Sequence, residues 1–193
     1  KKFYKQIGGV KLAPPYACLG MGKFEKMVFS PNNLFLDRIL LWKRYIDDIL
    51  MLFKGSKENC VSFVDWLNSL MPGVVKFKYE YSTDKIQFLD LEIQIENGTL
   101  ETNLFVKPTN AQLFLDYFSN HPQPCKEGII YGEALRIVER CSKDEDKVEH
   151  LAKLNKKFEE RGYPKKLIAE KFQMAESKER KDWVNQARKK KKK

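Results

Sequence analysis

Two adjacent aspartates, Asp47 and Asp48, have the residue type and the spacing needed for metal-ion chemistry. They stand between two short runs rich in Ile, Leu, Tyr and Phe, which are typical of buried strands. Neighbouring side chains on an extended chain point in opposite directions, so both carboxylates can serve one site only if the chain turns between the runs. The pattern therefore predicts a tight hairpin with both aspartates at its tip.

The chemistry that such a tip favours is metal-assisted phosphoryl transfer. Carboxylates are hard oxygen ligands, which suit Mg²⁺, or Mn²⁺ in its place. A reaction that uses two ions about 3.5–4 Å apart is the one that most needs two carboxylates together. A solvated Asp-Asp turn is the alternative interpretation, because aspartate is a common turn residue and short motifs often match by chance.

Further motifs follow one another along nearly the whole chain. They are Gly-Val-Lys-Leu-Ala-Pro-Pro-Tyr-Ala at residues 9–17, Arg-Tyr-Ile-Asp-Asp at 44–48, Phe-Leu-Asp at 88–90, Lys-Pro-Thr at 107–109, Ser-Asn-His-Pro at 119–122 and Arg-Gly-Tyr-Pro at 161–164. This ordered set resembles the reverse transcriptases of Penelope-like retroelements. The resemblance implies RNA-directed DNA synthesis by two-metal nucleotidyl transfer, with an RNA template, a DNA primer and dNTPs as partners.

The resemblance also implies roles for individual residues. Asp47 would be the direct ligand of both ions, Asp48 the supporting carboxylate, and Tyr45 would lie near the primer terminus. Gln6 would hydrogen-bond the sugar or the template backbone, and Gly9 would let the main chain approach the nucleotide closely. An ordinary Gly-Pro turn before an amphipathic helix is the alternative for this first segment, and Lys-Leu at residues 11–12 replaces the commoner Met-Gly pair of the family.

Two more positions follow from the same resemblance. Lys107 would contact a phosphate as a point charge, from a hairpin at residues 107–118 that grips the primer 3′ end. Asp90 is a candidate for a third metal-binding carboxylate. In the family, however, Phe-Leu-Asp belongs to a strand pairing beyond the active site, so we expect Asp90 to have a structural role. The third metal-binding aspartate would lie upstream of Gly9, outside this chain. We therefore expect the chain to be a piece of a longer polyprotein and to be catalytically silent alone.

The elements that must position these residues suggest an α+β fold. The resemblance implies that residues 1–118 form a partial polymerase palm, an antiparallel sheet with helices, and that residues 119–193 form an all-helical basic thumb with a Lys-rich tail. Pro14 and Pro15 open a first helix, along which Tyr16, Leu19, Gly20, Lys23 and Phe24 have helical spacing. Ser56 caps a second helix, whose buried face is Cys60, Phe63, Val64 and Leu67.

Strand and thumb patterns follow. Residues 75–81 alternate as a half-buried strand, residues 86–95 as a strand with a bulge near Leu89-Asp90, and Asn97-Gly98 predicts a hairpin. Helices are predicted at about 128–141 and 144–160, and another begins at Pro164 after a Gly162 stop. Their inward residues would be Val148, Leu151, Leu154 and Phe158, then Leu167, Ile168, Phe172 and Ala175. Phe114 and Tyr117 would either contact a sugar or base or fill the core.

Composition agrees with a nucleic-acid partner. The chain has 36 Lys and Arg against 26 Asp and Glu, and from Lys143 onward the balance is 18 against 10. A basic half suits a polyanion, although a solubilising tail is the alternative because residues 189–193 alone are all lysine. The four cysteines lack metal-ligand spacing, which favours reduced thiols in an intracellular protein, nuclear or cytoplasmic. No apolar run approaches the roughly 18 residues of a membrane span.

Two functions of other classes compete with the polymerase. One is a captured retroelement fragment that binds RNA or DNA without performing chemistry. The other is an unrelated structural α+β protein with a chance Asp-Asp turn. A structure in which the Asp-Asp turn lies far from any groove would favour this last possibility.

Overall fold

The computed structural model describes residues 13–178 and confirms the α+β class. The chain divides into two compact units, Lys1–Thr83 and Asp84–Lys193, and each is described by itself. Gln6, Gly9 and the Lys-rich run at 189–193 lie outside the described residues. The palm–thumb boundary that we expect after Phe118 falls inside the second unit, and as a division of function it stays a prediction.

The first unit is a β-hairpin with two helices. Its elements in order are α1 (Ala13–Val28), a 3₁₀ turn (Leu36–Arg38), β1 (Ile39–Tyr45), β2 (Asp48–Phe53) and α2 (Lys57–Leu70). Strands β1 and β2 pair antiparallel. The core is built from Met21, Phe24 and Val28 of α1 and from Phe63 and Leu67 of α2. Aromatic rings of Phe35, Phe53 and Trp66 surround Phe63 at centroid distances of 5.3, 5.4 and 5.8 Å.

The predicted helix starts of this unit are confirmed. Pro14 and Pro15 lie in the first turn of α1. Ser56 caps α2 by accepting a hydrogen bond from the Asn59 backbone, and the Asn59 side chain completes the capping box. The four residues predicted as the buried face of α2 are its four buried residues. On α1, however, Tyr16 and Leu19 are 69% and 74% exposed, so that part of the predicted spacing does not mark the buried stripe.

The strand predicted at residues 75–81 is wrong, because this segment pairs with no strand among the described residues. A side chain of α2 takes the place of a partner strand. Asn68 Oδ1 accepts from the Phe77 backbone N–H at 2.6 Å, and Asn68 Nδ2 donates to the Phe77 carbonyl at 3.3 Å. The Phe77 ring packs 5.1 Å from that of Phe24. The alternating pattern thus reflects an extended segment that buries one side against the helices.

The second unit begins with a three-stranded antiparallel sheet. Its strands are β3 (Lys85–Phe88), β4 (Leu91–Glu96) and β5 (Thr99–Leu104), in the order β3-β4-β5. The single bulged strand predicted at 86–95 is wrong: Phe88 pairs with Leu91, so Leu89-Asp90 is a two-residue turn between two strands. The hairpin at Asn97-Gly98 is confirmed, and both residues have positive φ, 50° and 75°, as a type I′ turn requires.

The segment between the sheet and the helices contains no strand, so the hairpin predicted at residues 107–118 is wrong. It is a loop that fills the helical core instead. The Phe114 ring stacks 4.7 Å from that of Phe158, and Tyr117 lies 5.2 Å from Tyr163. Of the two uses that the sequence left open for Phe114 and Tyr117, packing in the core is the one that the structure supports.

Three helices complete the second unit: α3 (Gln123–Arg140), α4 (Asp144–Glu160) and α5 (Lys165–Glu176). Helix α3 starts earlier than predicted, with a proline in its first turn, and the bounds predicted for α4 are confirmed. Val148 is 66% exposed, so its inward prediction is wrong. The core contains Leu104, Ile130, Ala134, Ile137, Cys141, Leu151, Leu154, Phe158, Tyr163, Ile168 and Ala175.

Gly162 ends α4 as predicted. It has φ +78°, a conformation that glycine adopts without strain. Its N–H donates to the Glu159 carbonyl at 3.0 Å, and the Tyr163 N–H donates to the Phe158 carbonyl at 3.1 Å. These two bonds form a Schellman motif, which satisfies carbonyls that the end of the helix leaves without partners. The chain then enters α5 through Pro164.

Candidate functional site

The two aspartates lie at the tip of the β1–β2 hairpin, as predicted. Tyr45 pairs with Asp48, so Ile46 and Asp47 form a two-residue turn. Asp47 and Asp48 are exposed, and Tyr45 is 58% exposed. Neither carboxylate has a hydrogen bond or an ion pair with the residues that the structure describes. Both are therefore available to a ligand.

The turn itself is strained. Ile46 has φ +57° while Asp47 does not have a positive φ, which is the sign pattern of a type II′ turn. A β-branched residue in this conformation is an outlier, and such strain costs about 1–3 kcal/mol. Backbone outliers of this kind cluster at functional sites, where the surrounding structure holds them in place.

Arg44 holds this turn. Its Nη1 donates to the carbonyl oxygen of Ile46 at 2.8 Å. Its Nε and Nη2 donate to the two carboxylate oxygens of Glu25 on α1, at 2.8 and 3.0 Å. Trp42 Nε1 donates to the same carboxylate at 2.9 Å. The bidentate pair fixes the guanidinium plane, so helix α1 sets the conformation of the turn through Arg44.

The pair has consistent electrostatics. The hydrogen bond from Arg44 lowers the pKa of Glu25, and this outweighs the opposing effect of burial; the bond from Trp42 adds to the lowering. The hydrogen bond to Glu25 in turn raises the pKa of Arg44. Glu25 is thus charged at neutral pH, but Arg44 occupies both of its oxygens. It is a support for the turn and is no third metal-binding carboxylate.

The donor set fits part of a magnesium site. Two exposed carboxylates offer hard oxygen ligands, which suit Mg²⁺ or Mn²⁺. Residues 13–178 contain no group of three or more His, Cys, Asp or Glu side chains that could hold a metal. Asp47 and Asp48 offer two exposed carboxylates, and a two-ion site needs further oxygen ligands from substrate, water or another carboxylate.

A second turn with a similar aromatic–aliphatic–Asp sequence differs in what its aspartate contacts. Leu89-Asp90 follows Phe88 as Ile46-Asp47 follows Tyr45, and Leu89 has φ +58°. Here the carboxylate accepts hydrogen bonds from Arg136 at 3.1 Å and Arg140 at 2.7 Å, both on α3. Burial acts to raise the pKa of Asp90, but the two arginines outweigh it, so the pKa lies below its ordinary value. These ion pairs agree with the expected structural role.

Of the three remaining predicted site residues, Lys107 is the one that the structure describes. Lys107 is exposed in the loop after β5 in the second unit, where its carbonyl accepts from the Asn110 N–H at 2.8 Å. Gln6 and Gly9 lie outside the described residues. The sequence reasoning missed the roles of Glu25, Trp42 and Arg44. A signal was present: Trp42 and Arg44 are two residues apart on one strand, so both donors face the same side and need a common acceptor.

The cysteines and the helices add two findings. Within the described residues, Cys18, Cys60, Cys125 and Cys141 form no disulfide, and Cys60 and Cys141 are buried. Burial raises the pKa of the Cys60 thiol. Within residues 13–178, no helix has both the length and the apolar character that a membrane crossing needs.

Helices α4 and α5 are joined by residues 161–164, a short turn that contains Gly162, as is common in helix-turn-helix motifs. The comparison with known families agrees with this geometry. Residues 113–173, about a third of the chain, match the family model of the animal helix-turn-helix domain. The match spans α3, α4 and most of α5. No curated protein and no solved structure matches the chain.

The matched segment is almost neutral. It contains 12 Lys and Arg against 11 Asp and Glu, whereas residues 174–193 contain 9 against 3. Many of its charges pair with one another; Lys171, for example, lies 2.9 Å from the Glu127 carboxylate and 3.2 Å from that of Glu170. The cationic excess of the C-terminal half is therefore concentrated after the matched helices.

Proposed function

We propose that the chain is part of a reverse transcriptase of the Penelope-like retroelement type and that the β1–β2 hairpin holds its catalytic metal ions. The observation that carries this proposal is the turn itself. Two exposed carboxylates without protein partners in the described residues follow a strained residue that Arg44 and Glu25 hold in place. The similar Leu89-Asp90 turn differs in that its aspartate is paired with Arg136 and Arg140. The ordered motifs along the chain supply the link to the family.

In this proposal each residue has a defined task. Asp47 and Asp48 bind the ions, with Asp47 as the direct ligand and Asp48 in support. Bound Mg²⁺ or Mn²⁺ would lower the pKa of the primer 3′ hydroxyl and neutralise charge on the pyrophosphate leaving group. Tyr45, exposed beside Asp48, lies near the primer terminus, and Lys107 contacts a backbone phosphate. Arg44 and Glu25 keep the carboxylates at a fixed orientation, because positioning carries much of phosphoryl-transfer catalysis.

The partners in this proposal are an RNA template, a DNA primer and dNTPs. Similarity to a helix-turn-helix domain supports a nucleic-acid partner for the second unit. The excess of lysine and arginine after α5 supports it as well.

The test is primer extension on an RNA template by the longer polypeptide in which we expect the chain to occur. Asp47→Ala should abolish Mg²⁺-dependent extension while circular dichroism shows an unchanged fold, because an exposed turn carboxylate contributes little to packing. Asp90→Asn is the matched control. It alters an aspartate in a similar turn whose carboxylate is already paired with Arg136 and Arg140 of α3. Extension at the wild-type rate by Asp47→Ala would refute the metal assignment.

A second candidate is a protein that binds nucleic acid without performing chemistry. It is favoured by one observation: the described residues provide two adjacent exposed carboxylates at the turn and no group of three or more side chains that could hold a metal. The same assay separates the two functions. Template-primer binding without any Asp47-dependent extension in the longer polypeptide would establish this second function.

A further inference from the structure

A groove between α1 and α2 in the first unit is lined by residues that have no task in the proposed function. Its volume is about 580 Å³. Met27, Trp66 and Leu70 line its apolar part, and Lys23 and Lys26 of α1 line its polar part together with Asn32. The lining contains no carboxylate. An apolar surface with two cations and no anion fits a ligand that has a flat apolar portion and a negative charge.

The two lysines are available to such a ligand. Both are exposed, and neither forms an ion pair within the part of the chain that the structure describes. They stand three residues apart on α1, so they are neighbours on one helix face, with Cβ atoms about 5–6 Å apart. The nearest acidic residue in sequence, Glu25, has both carboxylate oxygens bonded to Arg44. Its charge is therefore neutralised by a partner of its own.

Trp66 lines the same groove as these lysines and packs against two aromatic rings. Its indole stacks on Phe63 with an interplanar angle of 22° and a centroid distance of 5.8 Å, and Phe35 lies 6.1 Å away. Trp66 is only partly buried, and it contributes to the lining of the groove. A ring already fixed by packing loses little entropy when a base stacks on it.

We propose that this groove binds a single-stranded segment of nucleic acid, with a base against Trp66 and adjacent phosphates on Lys23 and Lys26. The inference rests on the proposed function, which it extends by a second contact with the same class of substrate. Single strands fit better than duplexes because their bases are free to stack on an aromatic side chain. The lysines make the contact salt-dependent but independent of base sequence.

The test uses the full chain and fluorescence anisotropy of a labelled oligothymidylate at low salt. The double variant Lys23→Ala/Lys26→Ala should bind about tenfold or more weakly. The negative slope of log affinity against log salt should become shallower by about 1.4 for the double variant. Each phosphate contact on a single strand contributes about 0.7 to the magnitude of that slope, and two contacts are removed. The matched control is Lys76→Ala/Lys78→Ala, which removes the same charge from exposed lysines of the same unit. It should change the affinity by less than about threefold.

A second readout addresses the base. Oligothymidylate should quench tryptophan emission of the wild-type chain, and Trp66→Phe, which keeps an aromatic ring in the core, should remove most of that quenching. A duplex of equal length should lose less affinity than the single strand when the two lysines are replaced. Equal effects of both lysine pairs would overturn the proposal. So would undiminished quenching in Trp66→Phe, or equal displacement of the oligonucleotide by poly-glutamate.

These outcomes are separable from those of the polymerase assay. If Asp47→Ala abolishes extension while the Lys23→Ala/Lys26→Ala chain binds like its control, the groove assignment fails and the proposed function stands. If Asp47→Ala extends at the wild-type rate, the proposed function fails whatever the binding data show.

Discussion

Arg44 and Glu25 form a bidentate ion pair that joins strand β1 to helix α1, with N–O distances of 2.8 and 3.0 Å. A further nitrogen of Arg44, Nη1, donates a hydrogen bond to the carbonyl oxygen of Ile46. One side chain therefore connects a helix that lies early in the chain to the conformation of the Asp-Asp turn. Since the turn contains a strained isoleucine, loss of this connection should affect both stability and the orientation of the two aspartates.

Replacing Glu25 with Gln should lower the free energy of unfolding by about 1–2 kcal/mol, because hydrogen bonds to a charged partner are lost or weakened. The pKa of Glu25 is lowered in the folded state. Its contribution is therefore complete above the unfolded-state pKa of about 4.3 and disappears as pH falls through the lower folded-state pKa. Urea unfolding at several pH values measures this. Asp65→Asn, an exposed carboxylate on α2, is the control. A Gln variant of full stability at pH 7 would contradict the prediction.

The Leu89 turn offers a test of backbone strain. Leu89→Gly should be more stable than Leu89→Ala by about 1 kcal/mol, because glycine adopts φ +58° without the Cβ clash that alanine keeps. Both variants lose the atoms beyond Cβ of a 40% exposed side chain, so the difference between them comes from the Cβ and from backbone conformation. Thermal unfolding of the two variants side by side provides the measurement. Equal stability would mean that the turn relaxes to a different conformation in the alanine variant.

The sequence predicts local features correctly where residues close together in the chain determine them. The face of α2, the Ser56 cap, the Asn97-Gly98 hairpin and the Gly162 stop depend on neighbours within a few residues, and all four are present. The Asp-Asp hairpin belongs to the same group, because its two strands are adjacent in sequence.

Predictions failed where a distant partner decides the structure. Residues 75–81 alternate like a strand, but Asn68 satisfies the Phe77 backbone and no strand lies beside it. Leu89 is not the glycine that usually marks a type II′ turn, so the sequence predicts a bulge where the structure has a turn between β3 and β4. The support of the site by Glu25 spans 19 residues and depends on packing between α1 and β1, which hydrophobic periodicity does not encode.

Asp90 should behave as a structural residue. Asp90→Asn should lower the free energy of unfolding by about 1–2 kcal/mol at neutral pH, because two arginines of α3 lose their common carboxylate. The pKa of Asp90 is lowered, so the difference from wild type should shrink as pH falls below about 3.9. Titration of Mn²⁺ by electron paramagnetic resonance should give the same affinity for both chains. Weaker Mn²⁺ binding by the variant would make Asp90 a metal ligand.

Two glycines of the second unit should respond in opposite directions to alanine. Gly162→Ala should destabilise by about 1 kcal/mol or more, since φ is +78° and a Cβ would lie 2.8 Å from the Phe118 ring. Gly132→Ala in α3 should stabilise by about 0.5–1 kcal/mol, because the position is helical and, apart from adjacent residues and the backbone of α3 itself, no described atom lies within 4 Å of the new Cβ. Chemical denaturation of both variants gives the comparison. A stabilised Gly162→Ala would show that α4 ends in a different way.

The 193-residue chain alone should bind a primer–template but should not extend it. A two-ion site needs enough oxygen ligands to hold both metals against their mutual repulsion, and Mg²⁺ demands near-octahedral geometry. Asp47 and Asp48 would supply part of that shell. The Glu25 carboxylate is paired with Arg44, and the Asp90 carboxylate is paired with two arginines of α3, so neither is available to a metal. No other carboxylate in residues 13–178 joins them in a group of three.

Gel-shift binding at low salt and primer extension with the same template measure the two halves of this prediction. Removal of Lys189–Lys193 should weaken binding to every sequence and reduce the salt slope, because each lysine that neutralises a phosphate releases counterions on binding. An affinity that barely changes between low and moderate salt would make the basic C-terminal segment a solubilising surface only. Robust extension by these residues alone would place a third catalytic carboxylate within the chain, and Asp90→Asn would then be the first variant to assay.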